Sequence, residues 1–430
     1  MIIKKLIEKI EGDAELDFTF NKGQIEDVKI SFAFYRGIEE ILSGKDPRDA
    51  LVITPRVCGI CNHAHLLTAV HTLEDGYKNA GLAIELSSKA KKIREFTLAC
   101  ELIQNHSKWF YLTILPQLEN LLQEQSGENH PLKASYFSST ITKALAIFGG
   151  QWPHSSYAVP GGVTCDPTYV DVMQAENLLD DTIRFYEQIV IGLPLEKYLS
   201  METASSLHEL QGDFGRCMQL IGMNNMAREG QSHDHFIVFG QDLFFHSGKA
   251  IRTVIANVNM RYVKETIQEG STSKGVMYKG RVYEAGPLAR AMVNKEPIIR
   301  NLHKLYKDSM LTRIFARMHE VALLMQYSKT LLKELRLEEP SCTLEKGELP
   351  GDFEGSGAVE AARGSLIHHT TVKNGKIDKY DIIVPTQWNL SHGTEKEEGV
   401  AIKAMIGSET TEEASFIFRT FDVCSVCTTQ

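Results

Sequence analysis

Two cysteine pairs sit almost the whole chain apart, Cys58-Gly59-Ile60-Cys61 near the start and Cys424-Ser425-Val426-Cys427 at the end. A C-x-x-C brings two thiolates within reach of one metal ion, and two such pairs can close a four-thiolate site. For both pairs to serve one site, the end of the chain must return across the whole fold to residue 58. Such a site is central to any domain built around it. Spacing alone leaves three readings open: structural zinc, a redox-active or catalytic thiolate site, and no metal. Zinc ribbons keep their pairs close in sequence because the metal staples a small unit. A chain of 430 residues, 43% of them hydrophobic and 23% charged, can bury a core without a staple.

The formal net charge of −9 argues against a nucleic-acid binder, whose footprint is a basic face. The opening Met1-Ile2-Ile3-Lys4-Lys5-Leu6-Ile7-Glu8-Lys9 is too charged for a signal-peptide core, and no apolar run reaches the roughly 18 residues of a membrane span. These features favour a soluble chain in the cytoplasm, with membrane association or export left to a partner. Cys100, Cys165, Cys217 and Cys342 are isolated in sequence and read as small hydrophobes rather than a disulfide framework.

Residues 2–33 alternate apolar and polar around Asn21-Lys22-Gly23 and predict a β-hairpin. Residues 34–42 predict a helix stopped by Gly44 and Asp46-Pro47, and a further helix follows Cys61 through Leu73. Apolar residues recur every three or four positions over 84–125, with a break at Pro116, and again over 172–196 and 302–336. Further hairpins are predicted over Val276–Tyr283 and over Leu366–Val384, the latter turning at Asn374-Gly375. The pattern predicts one α+β domain over residues 1–430, predominantly helical, with a long-helix bundle core and peripheral β-hairpins.

The surroundings of the cysteines narrow the choice. Arg56-Val57-Cys58-Gly59-Ile60-Cys61, with His65 following, and Asp422-Val423-Cys424-Ser425-Val426-Cys427 together resemble the large subunit of [NiFe] hydrogenases. Five more blocks are similar to that family in the same order. They are Lys9-Ile10-Glu11-Gly12, Arg36-Gly37-Ile38-Glu39 with Asp46-Pro47-Arg48-Asp49-Ala50, Gly286-Pro287-Leu288-Ala289-Arg290, Ala361-Ala362-Arg363-Gly364 and Val384-Pro385-Thr386-Gln387-Trp388-Asn389.

The resemblance implies a catalytic subunit for the reversible heterolytic cleavage of H2. It implies that Cys58, Cys61, Cys424 and Cys427 hold a nickel–iron centre whose iron carries CO and cyanide. Soft thiolates suit nickel that changes redox state. By the same resemblance, His65 donates to the Cys61 sulfur, and Arg363 overhangs the open coordination position as a polarising cation or a proton acceptor. Pro385 and Thr386 surround the cyanides, the Cys424 sulfur takes the proton and Glu11 receives it next. Glu39 and the last residue match a buried magnesium site. Two rivals in the same family are a hydrogen sensor of low turnover and a metal-free subunit of an electron-transfer complex.

Departures from the family pattern fall at Ala362 and Val423, where proline is usual, at Asn105, where aspartate is common, and at Gln430, where histidine is usual. Family precursors carry a C-terminal extension, so a chain stopping here corresponds to a mature form or to a gene without one. The isolated cysteines have no Fe–S ligand spacing. The lone Gly355-Ser356-Gly357 run is weak as a dinucleotide signal. Electrons must therefore leave through a second subunit bearing Fe–S clusters, and reach the final acceptor through it.

Overall fold

The computed structural model describes residues 1–10, 12–32, 36–124, 126–239, 253–255, 259–267, 274–344, 349–394 and 396–424. Of the expected site residues, Glu11, Cys427 and Gln430 lie outside this set. The architecture is predominantly helical with small peripheral sheets, as the periodicity predicted.

The expected N-terminal hairpin is a three-stranded meander of β1 (Ile2–Ile10), β2 (Gly12–Asn21) and β3 (Gln24–Ser31). Its β2–β3 turn falls where the sequence put it, with Lys22 and Gly23 both at positive φ as a tight hairpin turn requires. Leu16 and Phe18 face Ile30 and Val28 across the ladder and are buried with them. Next comes the short helix α1 (Ile38–Leu42), with residues 34–35 of the expected helix outside the described set.

Helix α2 (Asn62–Asn79) starts directly after the first cysteine pair and is buried along nearly its whole length. It packs beside α3 (Ser88–Trp109), and α3 in turn packs against α5 (His130–Gly149). The expected break at Pro116 does not occur. The chain instead passes through a wide π-type turn, Phe110–Ile114, directly into α4 (Leu115–Leu122). Widening the turn before Pro116 removes the clash between its ring and the carbonyl four residues back, so the helical course continues. Helix α6 (Tyr169–Phe185) begins at a capping box in which the Thr168 and Asp171 side chains bond each other's backbone N–H.

The expected single helix over 302–336 is two. Pro297–Tyr306 ends at Lys307, whose φ is positive, and α8 (Met310–Lys333) restarts where the Ser309 hydroxyl accepts from Thr312 N–H. Between α6 and α8 lie β4 (Val263–Ile267), β5 (Lys274–Tyr278) and α7 (Pro287–Asn294). The hairpin expected over Val276–Tyr283 is corrected, because β5 pairs with β4 and only Tyr278 and Arg281 bridge beyond it. After that bridge, Glu284 leaves to exchange hydrogen bonds with His235 and Ile237, so no second strand forms.

The C-terminal sheet, β6 (Phe353–Ala361), β7 (Gly364–Lys373) and β8 (Lys376–Ile383), includes the hairpin expected at Asn374-Gly375. Strand β6 lies directly on α2, and this explains Gly355-Ser356-Gly357. A Cβ on Gly357 would stand 2.6 Å from Thr72 N, and one on Gly355 would stand 2.2 Å from Thr72 O. The glycines permit contact between two backbones and do not cradle a phosphate. Gly357→Ala should therefore push strand and helix apart and cost about 1–3 kcal/mol, the range for overpacking. A thermal unfolding midpoint equal to wild type would refute that account. Helix α9 (Thr411–Thr420) then returns the chain, tied to β1 by Arg419 donating to Glu8 O at 2.6 Å.

Candidate metal centre

The loop that carries Cys58 and Cys61 is fixed through its backbone carbonyls. Arg36 donates to Arg56 O at 2.9 Å and Val57 O at 2.6 Å. Asn62 donates to Gly59 O at 3.2 Å, and Asn105 to Ile60 O at 2.7 Å. The Cys61 N–H points at Cys58 Sγ, 3.3 Å away. From the other end of the chain, Cys424 brings its Sγ within 3.7 Å of Cys58 Sγ, held by its N–H donating to Thr386 Oγ1 at 3.3 Å. A metal–sulfur bond of about 2.3 Å with tetrahedral angles spans nearly this sulfur–sulfur separation. Residues 58, 61 and 424 are all buried.

Cys61 and Cys424 line a small cavity with His65, Ala361, Arg363, Leu366, Val384, Pro385 and Thr386. Both chain ends thus meet around one small space, walled by the β6–β7 turn and by the start of the short helix Pro385–Asn389. Ala361 pairs with Gly364 across that turn, leaving Ala362 and Arg363 as its two tip residues. Arg363 donates through Nε to Asp422 O at 2.7 Å, through Nη2 to Asp422 Oδ1 at 3.0 Å and through Nη1 to Asn105 Oδ1 at 3.4 Å. Burial works against its charge, but Asp422 and the three cysteines outweigh burial and hold the guanidinium well above its ordinary pKa. Arg363 is a fixed cation at the edge of this cavity.

Asp422 links this cation to a buried ionic chain. Its Oδ2 accepts from Arg317 at 2.9 Å, Arg317 also donates to His106 Nδ1 at 3.1 Å, and His106 Nε2 donates to Glu320 at 2.9 Å. Glu320 takes two bonds from Arg290, which reaches Glu360 at 3.1 Å. Arg363, Arg317 and Arg290 are balanced by Asp422, Glu320 and Glu360, which is how so many charges are tolerated out of water. Burial lowers the His106 pKa to about 4, so the ring is a neutral spacer between Arg317 and Glu320.

His65 hydrogen-bonds through Nδ1 to His368 Nε2 at 3.1 Å, and His368 Nδ1 meets the Tyr380 hydroxyl at 3.0 Å. Burial lowers the His65 pKa to about 4, despite an opposing effect of Cys58, and drives that of His368 well below the ordinary value. Both rings are neutral. The Tyr380 phenol, kept protonated by burial, hydrogen-bonds His368 Nδ1. A phenol proton donated to Nδ1 would leave the His368 proton on Nε2, to give to His65 Nδ1, and would put the His65 proton on Nε2.

Helix α3 caps α2 from the side. The Glu101 carboxylate accepts from His63 N at 2.8 Å and Ala64 N at 3.0 Å, the first donors beyond the cysteine loop. Burial raises the Glu101 pKa to about 8, against those two hydrogen bonds and with help from nearby Cys58. A carboxyl held above its ordinary 4.5 binds its proton more tightly folded than unfolded, so its contribution to stability declines as pH rises from about 4.5 to about 8. In the metal-free chain, Glu101→Gln should flatten that decline. Midpoints of the two proteins that run parallel across the window would show that Glu101 does not titrate there.

The nickel-dependent hydrogenase family model matches the chain over residues 36–119 and 239–430. The chain belongs to that family. Among relatives, it is 26% identical to the large subunit of the periplasmic [NiFeSe] hydrogenase of Desulfomicrobium baculatum, with 93% of this chain and 88% of that one aligned. It is 25% identical to the alpha subunit of sulfhydrogenase 1 of Pyrococcus furiosus, over 98% and 96% of the two chains. In fold, it superposes on the [NiFeSe] hydrogenase of Desulfovibrio vulgaris Hildenborough with a TM-score of 0.84, at 22% identity and covering 100% and 99% of the chains.

For a hydrogenase-family site, the donor chemistry fits a soft transition metal. Cys58, Cys61, Cys424, His65, Arg363, Pro385 and Thr386 come together, and the fourth cysteine, Cys427, lies outside the described residues. Among the described residues no three His, Cys, Asp or Glu side chains close on one point. Glu39 stands apart from this group, with its carboxylate bonded to Lys274 Nζ at 2.6 Å and to Ile382 N at 2.8 Å. Sequence reasoning gave no role to Glu101, Asp422, His368 or Tyr380. Asp422 lay in view two residues before Cys424, and Glu101 one helical turn before Asn105. His368 and Tyr380 had no signal beyond the strand pattern.

Proposed function

We infer that this chain is the catalytic large subunit of a hydrogenase, acting as one domain in H2 ⇌ 2H⁺ + 2e⁻ with a small Fe–S subunit as its electron partner. The reading is carried by the meeting of Cys61 and Cys424, from opposite ends of the chain, at a small buried cavity that Arg363 also lines, with Cys58 Sγ 3.7 Å from Cys424 Sγ. Cys427 would supply the fourth thiolate. Bound nickel and iron, the iron with CO and cyanide, would supply Lewis-acid polarisation of H2. Thr386 and Pro385 would wall the diatomic ligands, and the Thr386 hydroxyl is already oriented by Cys424 N–H.

The protein's own part is positional and acid–base. The Cys424 thiolate would take the proton as H2 splits, and Arg363, a permanent cation, would stabilise charge developing in the cavity without taking the proton itself. Glu11 would accept the proton next, and Glu11→Gln should lower H/D exchange between D2 and water by about 10² or more. Undiminished exchange would remove Glu11 from the route. The reading as a whole is tested on complex produced in a host able to assemble such centres. Nickel and iron with infrared bands of CO and cyanide, and H2-dependent reduction of an artificial acceptor, are expected. Stoichiometric zinc without nickel would overturn it.

A further inference from the structure

We propose that Lys274 serves as the built-in cation of the Glu39 site, and that this chain holds no divalent metal there. Glu39 is the residue that the family resemblance assigns to magnesium. A magnesium ion demands near-octahedral geometry with its donors at about 2.0–2.1 Å, oxygen above all. Both Glu39 oxygens are already engaged. Oε2 meets Lys274 Nζ at 2.6 Å, and Oε1 accepts from Ile382 N at 2.8 Å. The same ammonium lies 3.6 Å from Glu265 Oε1, so two carboxylates from separate elements converge on one cation. Lys274 and Glu39 are each less than one-fifth exposed, so the pair is sheltered rather than a mobile surface contact.

The backbone holds Lys274 in that position. It opens β5 and pairs with Ile267 of β4. The next residue, Gly275, is pressed on Ser391, where an added Cβ would stand 2.8 Å from Ser391 Cα. That contact allows no side chain, and it sets where the strand begins and hence where the ammonium sits beside α1. An ammonium in contact with Glu39 both uses the carboxylate and repels a second cation. In sequence, Gln430 also departs from the histidine that the family resemblance places among the magnesium ligands.

The test is made on the purified holo-complex after gel filtration into magnesium-free buffer. Metal analysis should find no stoichiometric magnesium, manganese or calcium, and EDTA should leave the unfolding midpoint unchanged. Lys274→Met should lower the midpoint by leaving Glu39 and Glu265 facing each other without a cation, and Lys274→Arg should retain both the midpoint and the indifference to EDTA. One magnesium per chain in the wild type, or a midpoint lowered by EDTA at unchanged nickel content and restored by magnesium, overturns the proposal, as does a Met variant as stable as wild type. If the Met variant fails to fold, the Arg variant and the wild-type metal analysis decide alone. None of these readouts depends on nickel, so their failure leaves the hydrogenase reading standing.

Discussion

Cys61→Ser should abolish nickel incorporation while leaving the fold intact, and Cys424→Ser should do the same. A serine hydroxyl stays protonated at neutral pH and offers a hard oxygen, whereas the site calls for ionised, polarisable sulfur. The fold has little stake in either sulfur. Each is a small buried side chain, and exchanging one atom in such a place costs on the order of 1 kcal/mol. The loop around Cys61 is held by other residues, through Arg36, Asn62 and Asn105 on its carbonyls. Circular dichroism and the unfolding midpoint of the metal-free chain should therefore stay close to wild type. Nickel measured on the purified complex should fall to background, with CO and cyanide bands and H2 oxidation lost together. A serine variant that kept stoichiometric nickel and its infrared bands would show that the thiolate is not a ligand.

The cysteine pairs were readable as candidate ligands because metal chemistry fixes such spacing, and the long helices because burial imposes a period on residues 88–109 and 310–333. What could not be read depends on closure across the fold. His65 meets His368 over 303 positions, and Arg363 meets Asp422 over 59. Nothing local distinguishes His368 from its neighbour His369, which turns instead to Ser356 and Glu354. Glu101 looked like one more polar residue on a helix, and only the approach of α2 shows its carboxylate capping another helix. Pro116 misled for a different reason. Proline forbids a regular α-helical turn before it, but a turn with one extra residue meets the same constraint without ending the helix. The Gly355-Ser356-Gly357 run was ambiguous in sequence because glycine permits close approach to any partner, and here the partner is a helix backbone.

Arg363→Lys should lower H2 turnover by about 10²–10³, the scale for removing one preorganised donor aimed at developing charge. The substitution preserves the charge and changes its geometry. Arg363 is held by Nε and Nη2 on Asp422 and by Nη1 on Asn105, so its plane has one orientation over the cavity. A lysine ammonium is a point charge on a flexible stem and cannot reproduce the planar set of bonds to Asp422 O, Asp422 Oδ1 and Asn105 Oδ1. It will sit where Asp422 draws it, away from the reacting position. The fold should survive, because Arg317 still neutralises Asp422 at 2.9 Å and no charge is left buried alone. Nickel content should also survive, since the arginine contacts Asp422 and Asn105 and is not itself a ligand. The decisive comparison is therefore turnover against metal content in the same preparation. Wild-type turnover in the lysine variant would show that charge without orientation suffices. Loss of nickel in step with activity would assign Arg363 to assembly of the centre instead of to H2 cleavage.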